Sequence, residues 1–498
     1  IDLMNMPLSE NGPRARDGFY NLMNAPLSDE EAPQTRSSSR LERYSKKFGK
    51  LFMKETDKFK NGVMKMSNKI IKKLMHGQPF TLNDDKNSID NMVKILYALS
   101  HAMKIAAPKI NKDIIMAIVV GIIVGTIDAL FGRVLIAISE FRTIHYQYLL
   151  PFLPIAGLVI TAMYYVFSKL SLKGMKLIFE VGQQKTDAIP LLLIPLVMIG
   201  TWLTHLFGGS AGREGVAVQI GATLSHALGR KLNFPENGRI MLVIGMAAGF
   251  GGLFQTPLSA TFFAIEVIVI GKMDYEALLP ALASAYIAAF TSHSLGLEKF
   301  SVAIKNTINL TGTKTIISVI ILGILFGLTG RLFSFSLSKL KAFMGETIMN
   351  QYLRIGVMAI PLAALLFIIH GSRYSGLGTN IISAGFAGQT IYSYDWLLKL
   401  LFTIFTLAIG FQGGEVTPLF SIGTSLGVIL GGLLGLPPML CAALGYAAVF
   451  GSATNTLIAP IMMGLEVFGG ADMVLFVIVC VIAYGVNGNI SIYAQEKI

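Results

Sequence analysis

Charged residues are scarce in this chain. Lysine, arginine, aspartate and glutamate together make up 14% of its 498 residues, whereas a soluble globular protein carries about a quarter. Hydrophobic residues make up 53%, and the mean hydropathy is +0.62, so an ordinary soluble protein is excluded. Apolar stretches of roughly 20 residues, the length that crosses a bilayer, recur from about residue 113 onward. We therefore predict an all-α polytopic membrane protein.

Cysteine is rarer still. The two cysteines, Cys441 and Cys480, both stand among apolar residues. Two cysteines in such surroundings exclude a disulfide framework and a cysteine-rich metal centre, and they are typical of small core residues. The sequence accordingly predicts no metal site and no cofactor.

Acidic residues are fewer than basic ones, 29 against 41, and the positive excess is concentrated near the N-terminus. Residues 1–39 are polar, contain four prolines and show no periodicity, so we interpret them as a mobile tail. Residues 40–112 combine many lysines with apolar residues at roughly helical spacing, which predicts a basic amphipathic region on the membrane surface rather than a nucleic-acid site. Excess lysine and arginine beside the first span marks the cytoplasmic side. We therefore expect a cytoplasmic N-terminus and a location in the cell inner (plasma) membrane.

A pattern of glycines and glutamates occurs twice, about 200 residues apart. The matching segments are 212–221 with 414–423, 245–251 with 445–451, and 264–267 with 464–467. We predict two related membrane repeats, at 113–300 and 313–498, joined by a linker at 301–312. Paired halves whose helices are broken by glycine and proline are typical of transporters with a site between the repeats.

The segment 208–216, Gly-Gly-Ser-Ala-Gly-Arg-Glu-Gly-Val, places two charged residues inside a long apolar stretch. Ionisable groups at membrane depth are costly and usually functional. A glycine-rich entry to a helix favours anion binding, because the first backbone amides have no partner within the helix and the helix dipole is positive there. Glu214 stands where an anion is expected to bind. We therefore predict that its side chain competes with the anion for this site, either as a tethered plug that blocks it or as a proton carrier. The alternative is that Glu214 caps its helix and pairs with Arg213.

The motif G-R-E-G-x-x-V-Q-I-G, followed by a glycine-rich helix and a T/A-P-L helix, resembles the CLC family of chloride channels and anion/proton antiporters. The resemblance covers residues 113–498. It implies two inverted repeats with broken and tilted helices, a homodimer with one pathway per subunit, and anions held at helix N-termini. It also implies that Glu214 is the gating, proton-carrying glutamate and that Tyr493 closes the cytoplasmic side of the central site.

Four positions depart from the chloride-handling pattern of that family. Met175 follows Gly174 where the pattern has serine or proline, and Val267 replaces the inner proton-transfer glutamate of the exchangers. Val216 replaces the proline of the pattern G-R-E-G-P, and Val416 replaces phenylalanine in the segment 414–418. Together these residues resemble the bacterial fluoride/proton antiporter branch.

The sequence thus predicts a proton-coupled fluoride exporter, whose partners are fluoride, protons and the lipid bilayer. Glu415 is the candidate second carboxylate, and its alternative role is a structural hydrogen bond to the broken helix. The predicted anion site consists of Gly174, Met175, Gly212, Arg213, Gly215, Val216, Gly414, Val416, Thr417 and Tyr493. A CLC-type chloride channel or chloride/proton exchanger is the main alternative.

An intramembrane serine hydrolase is a remote alternative. Segments 208–212 and 423–427 match G-x-S-x-G, and His205 is close to Ser210 in sequence. A nucleophile elbow requires a strand–turn–helix context, which the sequence does not predict. We expect no enzymatic activity.

Overall fold

The computed structural model describes residues 112–232, 235–304 and 312–497. The described residues form sixteen α-helices. Those before residue 300 are α1 (Lys112–Leu149), α2 (Leu153–Phe167), α3 (Met175–Gly182), α4 (Leu193–Leu206), α5 (Glu214–Lys231), α6 (Pro235–Phe254), α7 (Pro257–Glu266) and α8 (Leu278–Ser294). Those after it are α9 (Thr313–Thr347), α10 (Gln351–Ile368), α11 (Thr379–Phe386), α12 (Asp395–Ile409), α13 (Val416–Leu434), α14 (Pro438–Thr454), α15 (Ile458–Phe468) and α16 (Met473–Asn487).

Helices account for the regular structure of these ranges, which contain isolated β-bridges but no strand. The predicted all-α fold is confirmed. The predicted tail at 1–39, the basic region at 40–112 apart from Lys112, and positions 305–311 of the predicted linker lie outside the described residues.

Within the described ranges, four helical segments are long and apolar enough to cross a bilayer. They are Lys112–Phe167, Thr313–Thr347, Gln351–Ile368 and Val416–Leu434. Several other helices are shorter, and α3 and α11 have eight residues each. Eight residues rise only about 12 Å, so such helices cannot span a bilayer alone. The fold therefore combines full spans with broken helices.

Proline and glycine set the start of several helices. α7 begins at Pro257, and α11 follows Gly378, whose φ is +87°. Proline suits the first helical turn because the amide it removes has no helical partner, and glycine adopts positive φ without steric cost. Local backbone chemistry therefore determines where both helices start.

The same helix contact occurs in both halves of the chain. α5 packs against α6, and α13 packs against α14. A Cβ atom added at Gly221 would overlap the backbone of Gly245, and one at Gly423 would overlap the backbone of Gly445. Small residues allow such close helix contacts within a membrane. Corresponding glycines thus hold corresponding helix pairs together.

Glu266 and Glu466 cap each other's helix. The carboxylate of Glu266, at the end of α7, accepts hydrogen bonds from three amides at the start of α15, those of Leu457, Ile458 and Ala459. The carboxylate of Glu466, on α15, accepts two from amides at the start of α7, those of Leu258 and Ser259. Each negative charge therefore meets the positive end of the opposite helix dipole. This reciprocal pair joins the two halves of the chain.

Candidate anion pathway

Two glycine-rich loops meet at Gly212 and Gly414. The amide of Gly212 donates to the carbonyl of Gly414 at 2.5 Å, and the amide of Gly414 donates to the carbonyl of Gly212 at 2.8 Å. α5 and α13 each begin two residues after the paired glycine. The N-termini of both helices are therefore held side by side, and their free amides form a site suited to anions.

The side chain of Glu214 reaches from α5 to α13. It is 1% exposed, and its Oε2 atom accepts hydrogen bonds from the amide of Thr417 at 3.1 Å and from the hydroxyl of Thr417 at 2.5 Å. Oε2 also accepts from the amide of Arg213 at 3.2 Å, while Oε1 lies 3.7 Å from Nε of Arg213. Glu214 thus pairs with Arg213, as the capping alternative expects. It also occupies donors of the neighbouring helix, as a tethered anion would.

A cavity of about 680 Å³ lies beside the start of α13, where Gly413 and Glu415 line it. We call it the lysine cavity, because Lys173, Lys176 and Lys341 line it together with Arg354. Glu415 is the single carboxylate among its described lining residues. The wall of this cavity is therefore positively charged, which attracts anions.

Glu415 faces the lysine cavity from the N-cap position of α13. It is 8% exposed, and its Oε1 atom lies 3.8 Å from Nζ of Lys341. Its side chain makes no capping hydrogen bond to α13. The geometry thus places Glu415 between the cavity and the helix start that binds Glu214.

Gly174, Met175 and Tyr493 also line the lysine cavity. Met175 is the first residue of α3, and Gly174 is its N-cap. The ring of Tyr493 stacks on Phe179 with 5.3 Å between centroids, and its hydroxyl has no hydrogen-bond partner among the described residues. An unpaired hydroxyl beside a cavity is free to donate to an anion.

Val216 and Val416 are placed differently from the other predicted site residues. Both are buried, with exposures of 0% and 2%, and both pack in hydrophobic clusters. Neither side chain lines the lysine cavity. Their side chains shape the packing behind the helix starts, so any contribution to selectivity is indirect.

A second cavity, of about 830 Å³, contains Arg213 in its wall. We call it the arginine cavity, because Arg142 and Arg373 also line it.

Sequence reasoning singled out neither Arg142 nor Lys399, which is fully buried on α12. The sequence does contain a signal for Lys399, because it is a charged residue inside an apolar helix. The same pattern indicated Glu214.

The hydrolase alternative is wrong for the residues that suggested it. Both ring nitrogens of His205 lie within hydrogen-bond distance of backbone carbonyls, those of Thr201 and Ala211. Ser210 Oγ instead contacts Thr403 and Lys399. The segment also has no strand before it within the described residues, so it forms no nucleophile elbow.

Comparison with protein-family models gives one match. The model described as "Voltage gated chloride channel" matches residues 156–488. A curated relative from Pseudomonas syringae pv. tomato, named "Chloride/fluoride channel protein", is 35% identical over 398 residues, which is 78% of this chain and 87% of the relative.

Solved structures give the same assignment. A crystal structure of a CLC-type fluoride/proton antiporter is 51% identical in sequence, with a TM-score of 0.76, and the match covers 78% of this chain and 98% of that one. A cyanobacterial Cl⁻/H⁺ antiporter, at 20% identity and a TM-score of 0.65, shares the fold. The family match extends over about two thirds of the sequence, and the chain therefore belongs to the CLC family of voltage gated chloride channels and their antiporter relatives.

Proposed function

We propose that this protein exports fluoride from the cytoplasm in exchange for protons. The observation that carries the proposal is the 51% identity, across almost the whole of the matched chain, to a solved CLC-type fluoride/proton antiporter. The relative named as a chloride/fluoride channel is also compatible with a fluoride substrate. Family membership makes the chain an integral membrane transport protein rather than an enzyme.

Glu214 is the proposed gate and proton carrier. Its ionised carboxylate occupies the amide and hydroxyl of Thr417, which are donors that an anion also requires. Protonation removes the negative charge and weakens these charge-assisted hydrogen bonds. A fluoride ion then takes the vacated donors, so proton binding and fluoride binding become linked at one position.

The lysine cavity is the proposed cytoplasmic entrance. Its lysines raise the local concentration of anions, and Gly174, Met175 and Tyr493 line it. Fluoride is small and strongly hydrated, so it needs close donors to replace its water. The amides at the starts of α3, α5 and α13 supply such donors. Gly174 and Gly215 belong to the proposed path because they lie at these helix starts, and Gly212 and Gly414 belong to it because their mutual pairing holds two of the starts together.

Four residues support fluoride over chloride as the substrate. Met175, Val216, Val416 and Val267 replace residues that the chloride-handling pattern carries. The valines line no part of the lysine cavity. We assign Val216 and Val416 the indirect role of setting the position of the helix starts, whereas Val267 follows the end of α7 and leaves that position without a carboxylate. Met175, which does line that cavity, is the proposed direct contact.

Glu415 is the proposed second carboxylate. It faces the lysine cavity and makes no capping hydrogen bond, which supports a role in proton transfer over the structural alternative. We further propose the arrangement that the family resemblance implies: a homodimer with one pathway per subunit, in the inner membrane, with the N-terminus in the cytoplasm.

Transport of both halides in liposomes tests the proposed function. The purified protein is reconstituted into proteoliposomes, and an outward gradient of fluoride or of chloride is imposed. We expect fluoride efflux to drive proton uptake, and chloride efflux to drive little. Equal proton uptake with both halides would instead assign a chloride/proton exchanger, and halide flux without proton uptake would assign a channel.

A further inference from the structure

Arg142 is a buried arginine with few partners. It lies near the end of α1, is 7% exposed, and Nη1 makes one long hydrogen bond of 3.4 Å to the carbonyl of His205. Its Nε atom has no hydrogen-bond partner in the described part of the chain. No ion pair within 4.0 Å joins Arg142 to a described carboxylate. A buried guanidinium without an anion is costly, which favours a site that an anion occupies.

Lys399 adds a second buried cation to the same place. Its Nζ atom donates to the carbonyl of Gly376 at 2.6 Å, to the carbonyl of Tyr374 at 3.1 Å and to Oγ of Ser210 at 2.9 Å. These partners match the three donors of an ammonium group, and none of them is negatively charged. The hydrogen bonds therefore satisfy the ammonium group without neutralising its charge.

Asp395, one helical turn before Lys399, is engaged elsewhere. Its carboxylate accepts from Arg373 at 2.6 and 3.0 Å, from the hydroxyl of Tyr374 at 2.6 Å and from the amide of Tyr392 at 2.9 Å. A carboxylate with this many donors is already satisfied. It compensates Arg373, and no described carboxylate lies within 4.0 Å of the charged nitrogens of Arg142 or Lys399.

Gly376 holds the two cations close together. Lys399 binds the carbonyl of Gly376, and a Cβ atom at this position would overlap Nη1 of Arg142. Glycine is also suited to the positive φ of +63° found here. Like charges at such close range repel each other, and an anion between or beside them relieves that repulsion.

The arginine cavity supplies the space and further donors. Ser375 Oγ and Nη1 of Arg213 have no hydrogen-bond partner among the described residues, and both residues line this cavity with Arg142. Glu140, an exposed residue, is the single carboxylate among the described lining residues. Several unused donors thus converge on a cavity whose base is positively charged.

We propose that the base of the arginine cavity is a second anion site, where Arg142, Ser375 and Arg213 bind one small inorganic anion and Lys399 adds positive potential behind it. The identity of the anion as fluoride rests on the proposed function. The cavity lies toward the end of α1 opposite Lys112, so with a cytoplasmic N-terminus it opens to the exterior. Arg213 connects this site to Glu214, so the site receives the ion that has passed the gate.

Fluoride titration of the transport rate tests the site in proteoliposomes. Arg142→Gln is expected to raise the fluoride concentration at half-maximal rate about tenfold on the side of this cavity, while the proton-to-fluoride ratio is retained. Arg142→Lys, which keeps the charge, is expected to stay within about twofold. Glu140→Gln, which removes the opposing charge, is expected to lower that concentration. Lys339→Gln, an exposed substitution outside both cavities, serves as the control.

A thiol label tests the charge of the arginine cavity without substituting a buried residue. Thr379 is exposed and lines the arginine cavity, whereas both native cysteines are buried. Thr379→Cys is modified from one side with a cationic or an anionic membrane-impermeant methanethiosulfonate. The cationic label is expected to lower the half-maximal fluoride concentration and the anionic label to raise it, each about threefold.

Two results would overturn the second site. They are a half-maximal concentration unchanged in a folded Arg142→Gln protein, and equal effects of the two labels on Thr379→Cys. Failure of the proposed function is a separate outcome, recognised when the wild-type protein exchanges chloride rather than fluoride for protons. In that case the same shifts must appear with chloride, or the second site is also wrong.

Discussion

The carboxylate of Glu214 binds the N-terminal donors of α13 through Thr417, with Oε2 3.1 Å from the amide nitrogen and 2.5 Å from the hydroxyl oxygen. The contact joins residues from the two halves of the chain. The donors at the N-terminus of α13 are therefore occupied by a carboxylate of the protein itself.

Glu214→Gln is expected to separate fluoride movement from proton movement. Glutamine has nearly the same size but carries no charge and takes up no proton at physiological pH. We expect fluoride flux to continue passively while proton uptake falls to the level of protein-free liposomes. Paired fluoride-electrode and pH recordings measure both fluxes. Proton uptake that persists at the wild-type ratio would show that another group carries the proton.

Glu266→Ala and Glu466→Ala test the reciprocal caps. A hydrogen bond to a charged group contributes about 1.5–3 kcal/mol, with incomplete additivity, so loss of the Glu266 carboxylate is expected to lower the free energy of unfolding by about 3 kcal/mol. Glu466 binds two amides rather than three, and its loss is expected to be smaller. Unfolding in detergent, followed by circular dichroism, gives the comparison.

The transport readout of the same variants distinguishes a structural role from a proton path. Structural caps predict an unchanged proton-to-fluoride ratio in the folded fraction of each variant. A ratio that falls in Glu266→Gln, which retains one acceptor oxygen, would place this residue on the proton path instead.

Helix breaks could be predicted from the sequence, because local backbone chemistry determines them. Pro257 and Gly378 mark the starts of α7 and α11, and the glycine-rich segment before Glu214 marks the start of α5. These signals act within a few residues, so no knowledge of the fold is needed to read them.

Contacts between distant segments could not be predicted in the same way. Arg142 on α1 and Lys399 on α12 meet beside Gly376 only because the fold brings three segments together. Val216 is a second case, because its place in the G-R-E-G-V motif predicts a pathway residue but does not indicate which way the side chain points. It packs in a hydrophobic cluster instead, because alternate faces of a helix start point toward the path and away from it.

Lys341→Gln tests the electrostatic role of the lysine cavity. The side chain is 46% exposed and its Nζ lies 3.8 Å from Glu415, so its contribution to stability is expected to be below about 1 kcal/mol. The half-maximal fluoride concentration on the lysine-cavity side is expected to rise a few fold at low salt and less at high salt, since salt screens exposed charges. Lys339→Gln is the matched control, two residues away on α9 and outside the cavity lining.

Met175→Ser tests the residue proposed to contact the ion directly. Serine adds a hydroxyl donor and removes the bulk of methionine, which favours a larger, less strongly hydrated anion. We expect the ratio of chloride to fluoride transport to rise, and to rise further with Val416→Phe. Val416→Phe alone adds volume to a packed site and is expected to cost about 1–3 kcal/mol of stability. A double variant with the wild-type halide preference would show that these positions do not set selectivity.

A pair of substitutions at Glu415 distinguishes its proposed role in proton transfer from the alternative structural role. A proton-transfer role predicts that Glu415→Gln lowers proton uptake more than fluoride flux, because glutamine keeps the shape of the side chain but carries no proton. A structural role predicts that Glu415→Gln, which retains one acceptor oxygen, is nearly silent and that Glu415→Ala lowers both fluxes and the unfolding temperature together. The side chain faces the lysine cavity and makes no capping bond to α13. We therefore expect the first pattern, and an unchanged proton-to-fluoride ratio in Glu415→Gln would establish the second.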